Sequence, residues 1–146
     1  MNHTVVRVQR CLTILVTALV ARQALALPPP RAMYDAAVAQ ERAVRTALAD
    51  DTASENVLTS ARTTIQGYED IVRQYPVSGY GDDALWRAGR LALDAFARFG
   101  EPRDRSAGER LLRSLVRRYP TSKLAKRVPE LLGTEISDST ALPSRT

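Results

Sequence analysis

The chain has 146 residues, room for one domain, with 21 Lys and Arg against 16 Asp and Glu and a formal charge of +5. Its only cysteine, Cys11, and only histidine, His3, lie near the N-terminus. The remainder therefore lacks the side chains for a disulfide, a thiolate or imidazole metal set, a Cys-His pair or a Ser-His-Asp triad.

The first 26 residues read as a secretory signal. Arg7 and Arg10 precede the apolar run Cys11 to Ala21, and Ala24 and Ala26 form a small-x-small cleavage site. A run of this length falls well short of the ~20 apolar residues that a membrane-spanning helix needs. Cys11 opens the run after Arg10, which is the wrong context for a lipid-anchored cysteine. Cleavage after Ala26 removes Arg7, Arg10 and Arg22 with no acidic residue, lowering the formal charge to +2. That is too little for a phosphate-tracking nucleic-acid binder, so no nucleic-acid partner is expected.

Residues 27 to 32 form a proline-rich lead-in, and Met33 to Leu48, free of Gly and Pro, reads as a first helix. Thr52 with Glu55 three residues on has the form of a capping box for a second helix, which ends at Tyr75 with Ile65, Tyr68, Val72 and Tyr75 on one stripe. Pro76 stops that helix because it has no N–H and disfavours helical geometry in the residue before it. Ser78 is then placed to cap a third helix, Tyr80 to Phe99, with Leu85, Ala88, Ala92, Ala95 and Phe99 inward. "GEPRD" breaks it at Gly100 and Pro102. A fourth helix, from about Asp104 or Ser106 to Tyr119, turns Leu112, Leu115, Val116 and Tyr119 inward. "KLAKRVPELL" predicts a short fifth helix, kinked or ended near Pro129, and residues 133 to 146 read as a flexible tail or linker. No segment alternates as a strand does, and the fold expected is all-α.

One feature organises this series. "IVRQYPVS" at 71 to 78 returns as "LVRRYPTS" at 115 to 122, so Tyr75, Pro76 and Ser78 recur as Tyr119, Pro120 and Ser122. Repetition at a spacing of this size marks stacked helix pairs. Leu85, Ala88, Gly89 and Ala92, followed by Gly108, Leu112, Leu115, Val116 and Pro120, resemble a tetratricopeptide-type repeat, in which small residues let an antiparallel pair approach closely. The resemblance covers about residues 33 to 132. It implies antiparallel pairs stacked as a short right-handed superhelix with a closing helix. Thr64 stands where a smaller residue is usual, and the loop from Gly100 to Arg105 lengthens the unit.

"YEDIVRQYPVSGYGDDALWRAG" is similar to repeats of the Tol-Pal coordinating protein and of the outer-membrane-assembly lipoprotein with tetratricopeptide folds. With "YPTSKLAKRVPELL" it also resembles the segment preceding the catalytic part of some secreted N-acetylmuramoyl-L-alanine amidases. The resemblance implies a non-catalytic scaffold or interaction module in the periplasm or extracytoplasmic envelope of a bacterium, binding a protein, peptide or peptidoglycan-associated partner without a cofactor. Its alternative implication is an accessory region of an amidase whose catalytic part lies outside this chain. In such repeats the first helix of each pair lines the concave face, which places Asp83, Trp86, Arg90 and Asp94 toward a ligand. Trp86 and Arg90, four apart, either stack toward that ligand or leave Trp86 packed on the first helix.

Two other groupings carry charge. The arginines of "RDRSAGER" with Arg113, Arg117 and Arg118 form either a surface for an anionic polymer or an ordinary solvated helix face. The pairs Asp50/Asp51, Glu69/Asp70 and Asp82/Asp83 are adjacent residues near helix ends, unlike two carboxyls facing each other across a cleft. Two repeats are few for a continuous core, so self-association as a homo-oligomer, or an attached domain, is expected.

Overall fold

The computed structural model describes residues 27–50 and 52–133, so the expected signal peptide and the tail beyond Gly133 lie outside the described residues. Four helices follow one another: α1 (Pro30–Leu48), α2 (Glu55–Gln74), α3 (Gly81–Phe99) and α4 (Pro102–Arg118). A 3-10 turn, Ala125–Arg127, then leads directly into helical residues 128–133. Among the described residues there is no strand.

Proline marks helix starts here more often than helix ends. Pro30 and Pro102 each stand in the first turn, where a missing N–H costs no hydrogen bond. The lead-in is therefore shorter, and the fourth helix longer, than the sequence suggested. Pro129 likewise stands in the first turn of helical residues 128–133 and does not end them. Gly100 closes α3 in the left-handed conformation at φ 73°, donating its N–H to the Phe96 carbonyl at 2.7 Å.

The expected capping box at Thr52 does not form. The N-cap of α2 is Ser54, without a side-chain cap bond, while the Thr52 N–H and hydroxyl both donate to Asp50 Oδ1 at 2.9 and 2.7 Å. The local Asx-type turn captures the threonine because an ionised carboxylate is the stronger acceptor.

α3 and α4 run antiparallel in close contact. A Cβ built on Gly108 would stand 2.9 Å from the Gly89 carbonyl oxygen, and one on Gly89 would stand 2.7 Å from the Leu112 side chain. The small-residue expectation at these two positions therefore holds. The buried stripe of α4 runs through Asp104, Gly108, Leu111, Leu112 and Leu115. Val116, expected inward, is 38% exposed; Leu111, at 2%, takes its place because the stripe centres on positions 108, 111 and 115. Tyr68, Ile71, Leu91, Leu111, Leu112 and Leu115 are fully buried, each worth roughly 1.5–3 kcal/mol in apolar transfer.

The duplicated octapeptide folds the same way twice. Tyr75 and Tyr119 end their helices at φ/ψ of −131°/61° and −131°/58°. Each donates its N–H four residues back, to Ile71 and Leu115, and each carbonyl then accepts from the serine three residues on, at 3.0 Å in both hinges. The two phenols also act alike. Tyr75 donates to the Pro28 carbonyl just ahead of α1, and Tyr119 donates to the Pro76 carbonyl just ahead of α3, at 2.7 and 3.1 Å. Each tyrosine thus ties the end of a helix pair to its beginning, and Gly81 leaves the room that the Tyr119 ring needs.

The serines differ. Ser122 donates to Asp82 Oδ2 at 2.7 Å and accepts from the Leu124 N–H at 3.2 Å. Ser78 was expected to cap the third helix, but that helix begins at Gly81 with Tyr80 as its N-cap. The Ser78 hydroxyl is buried with no hydrogen-bond partner among the described residues.

The two pairs join side by side. Tyr34 reaches Asp83 and Arg45 reaches Asp94, which sets α1 parallel to α3. Arg62 donates from Nε and Nη2 to the two oxygens of buried Asp104 at 3.0 and 2.6 Å, and Arg110 pairs with Glu69 at 2.9 Å. These long side chains tie α2 to α4 across the join, while the packing between the two pairs runs mainly between α2 and α3. One face is thus built from the first helix of each pair and the other from the second.

Candidate functional site

The face carrying α1 and α3 is held by a polar network whose centre is Glu41. This carboxylate stands on the buried stripe of α1, Ala37, Glu41 and Val44, and is only 4% exposed. A buried charge persists only where partners replace water, and here three do. Tyr68 donates its hydroxyl at 2.6 Å, Arg45 its Nε at 2.8 Å and Arg87 its Nη1 at 3.0 Å. Burial alone would raise the Glu41 carboxyl's pKa; the bonds from Tyr68, Arg45 and Arg87 and the charge of Arg45 reverse this and hold it below the ordinary value.

The partners respond in kind. Burial, then the bond to Glu41, raises the Tyr68 phenol. Burial would lower Arg87, but bonds to Asp83 and Glu41 raise it above its usual value. Arg87 Nε donates to Asp83 Oδ2 at 2.5 Å and to the Tyr34 hydroxyl at 3.1 Å, while Tyr34 donates to Asp83 in turn. The Tyr34 ring stacks on Tyr80 at a centroid distance of 4.8 Å, linking the network to the first hinge.

Beside this network lies a cavity of about 460 Å³, lined by Glu41, Arg45, Asp83, Trp86, Arg87, Arg90, Leu124 and Arg127. Its walls come from α1, α3 and the turn after the second hinge, and its volume falls within the roughly 300–1,000 Å³ of ligand clefts. Three of the residues singled out in the sequence meet there: Asp83, Trp86 and Arg90. The fourth, Asp94, lines an adjoining cavity of about 400 Å³ with Arg45, Leu48, Ala49, Ala97 and Arg98, and its carboxylate is bound by Arg45.

Trp86 is only 8% exposed and belongs to the core. Two guanidiniums lie against its indole, Arg90 at 6.0 Å and Arg127 at 4.9 Å from the ring centroid. The ring therefore supports cations and is not an open platform for stacking.

Sequence reasoning missed Glu41, Tyr68, Arg87 and Arg127. The available signal was a single glutamate interrupting the apolar stripe of α1 at helical spacing. The hinge residues Tyr75, Pro76, Tyr119, Pro120 and Ser122 join elements and lie outside the cavity lining.

Elsewhere the charged pairs are accounted for locally. Asp82 accepts from Ser122, Asp70 pairs with Arg73 at 2.6 Å, and Glu109 pairs with Arg105 and Arg113 at 3.2 and 2.8 Å. Among the described residues no group of three or more His, Cys, Asp or Glu is placed to hold a metal ion, and no helix is long and apolar enough to cross a membrane.

Comparison with family models, curated proteins and solved structures gives no match to this chain.

Proposed function

We propose that the chain is a non-catalytic, exported interaction module of a bacterial cell envelope, a short tetratricopeptide-like right-handed stack. Its inner groove receives an extended segment of a protein or peptidoglycan-associated partner. The observation that carries this reading is the convergence of α1, α3 and the turn after the second hinge on one cavity, with charged side chains fixed at their positions by Glu41, Asp83 and Trp86. Side chains held in advance lose less freedom on binding, which favours recognition of an incoming chain. Chemistry at the same place is disfavoured by the lowered pKa of Glu41, since a carboxyl held ionised by three donors is a poor general acid.

Photo-crosslinking in the producing cell tests the reading. A benzophenone side chain replacing Arg90 is expected to give a discrete adduct, and the same group replacing outward-facing Arg113 is not. Equal labelling from both positions would count against the groove. Release of soluble fragments from purified cell wall by the chain would replace the binding module with a hydrolase.

A further inference from the structure

The carboxylates of the inner face are distributed unevenly. Arg45 is held by Glu41 and Asp94, and Arg87 by Glu41 and Asp83. Arg90 and Arg127 line the same cavity, are exposed, and have no acidic partner among the described residues. Both lie instead against the Trp86 ring, which orients the two guanidiniums about one indole without neutralising either. Neither positive charge is neutralised within the described residues, so an anion entering the cavity meets two guanidiniums that no acidic side chain already occupies.

We infer that this arginine pair is a carboxylate subsite, and that the segment taken by the groove is an acidic extended peptide. The inference rests on the groove reading above and adds the chemistry of the occupant. Guanidinium matches carboxylate geometrically as well as in charge, donating two parallel N–H groups to two oxygens. The deeper carboxylates, Glu41 and Asp83, are already saturated by Arg45, Arg87, Tyr34 and Tyr68, so they leave the two outer arginines to set the sign of the entrance. Trp86 is a post that spreads and orients the pair.

The chain carries one tryptophan, so its fluorescence reports directly on this subsite. The test titrates the full chain with three hexapeptides: glutamate-rich with an amidated end, its glutamine counterpart with an amidated end, and the glutamine peptide with a free terminal carboxylate. Trp86 emission and calorimetry are read together. The glutamate peptide is expected to bind at least about tenfold more tightly than the amidated glutamine peptide, and to weaken as NaCl rises from about 50 to about 500 mM. The double variant Arg90→Gln/Arg127→Gln should abolish that preference, whereas Arg117→Gln/Arg118→Gln should keep it. Arginine-dependent binding of the free-terminus glutamine peptide would assign the carboxylate to a chain end; its failure beside a bound glutamate peptide would assign it to side chains.

Equal affinity for both amidated peptides overturns the carboxylate subsite while leaving the groove as a binding site. Glutamate binding unchanged in the Arg90/Arg127 variant overturns it as well. Failure of every peptide to bind does the same, and the Arg90 crosslink then decides separately whether the groove reading survives. Both arginines are exposed, so the double variant is expected to keep its helices, which a circular-dichroism melt checks.

Discussion

Between α3 and α4 the backbones approach at Gly89 and Gly108, and leucines from each helix fill the space beside them. Between α1 and α2 there is instead a cavity of about 460 Å³ lined in part by small and hydroxyl-bearing residues, among them Ala43, Ala47, Ser60 and Thr63. The hydroxyls of Ser60 and Thr63 turn back onto the carbonyls four residues earlier and take no part in packing. The second pair is thus closed by contact between its own helices. The first is pinned within itself by the Tyr68–Glu41 bond and joined to its neighbour by the Arg87–Glu41 pair. Similar sequence plans yield one pair seamed by close glycine contact and another whose apolar core also holds a buried carboxylate.

That contrast is broken most severely at Glu41. Glu41→Gln should cost about 2 kcal/mol near neutral pH, because it removes the one buried charge that Tyr68, Arg45 and Arg87 all bond while each arginine, about a third exposed, keeps an aspartate; urea unfolding followed by circular dichroism measures it. The pH dependence has a fixed sign. The folded carboxyl titrates below its ordinary value of 4.5, so its contribution is complete above that value and is lost as pH falls through the folded pKa. The gap between the native chain and Glu41→Gln should therefore narrow in acid and stay level from pH 5 upward.

Shape is tested next. Gly108→Ala should cost about 2 kcal/mol despite alanine's better helix propensity, because its methyl meets the Gly89 carbonyl, which is backbone and cannot step aside. Ala43→Leu, by contrast, adds volume where the first pair is open, and should change stability by no more than about 0.5 kcal/mol. Equal losses at the two positions would erase the distinction between the pairs.

The smallest effects separate the hinges. Ser122→Ala should cost about 1 kcal/mol by removing the bonds to Asp82 and Leu124. Ser78→Ala removes a hydroxyl that has no partner, and its melting temperature should match or slightly exceed that of the native chain.

The legible parts of the molecule were the local ones. Proline after tyrosine ends a helix wherever it occurs, and Gly89 with Gly108 announces close approach through spacing alone. Asp83, Trp86 and Arg90 came together because helical periodicity put them on the same side of α3. Glu41, Tyr68 and Arg87 were not legible as a unit. They come from three helices, 27 and 46 residues apart from Glu41 in the chain, and only the tertiary fold brings their charges within reach. Val116 and Leu111 were exchanged because a shift of one position on a leucine-rich helix leaves the pattern almost unchanged. Thr52 and Ser78 failed as caps for a different reason. A cap hydroxyl must accept from the free N–H groups at a helix start, and Thr52 instead sits in a turn where its hydroxyl and N–H donate to Asp50, while Ser54 holds the N-cap position.

The Tyr-Pro dipeptide has a consequence for how such a chain lengthens over evolutionary time. At the first hinge Tyr75 fastens its own pair shut, while the carbonyl of Pro76 receives the phenol of the next. One dipeptide therefore carries the clasp of one unit and the eyelet of its successor. A tandem duplication of the stretch between hinges would copy both parts together, so the new unit would arrive with its joint already matched, and Pro120 stands in the second hinge where Pro76 stands in the first.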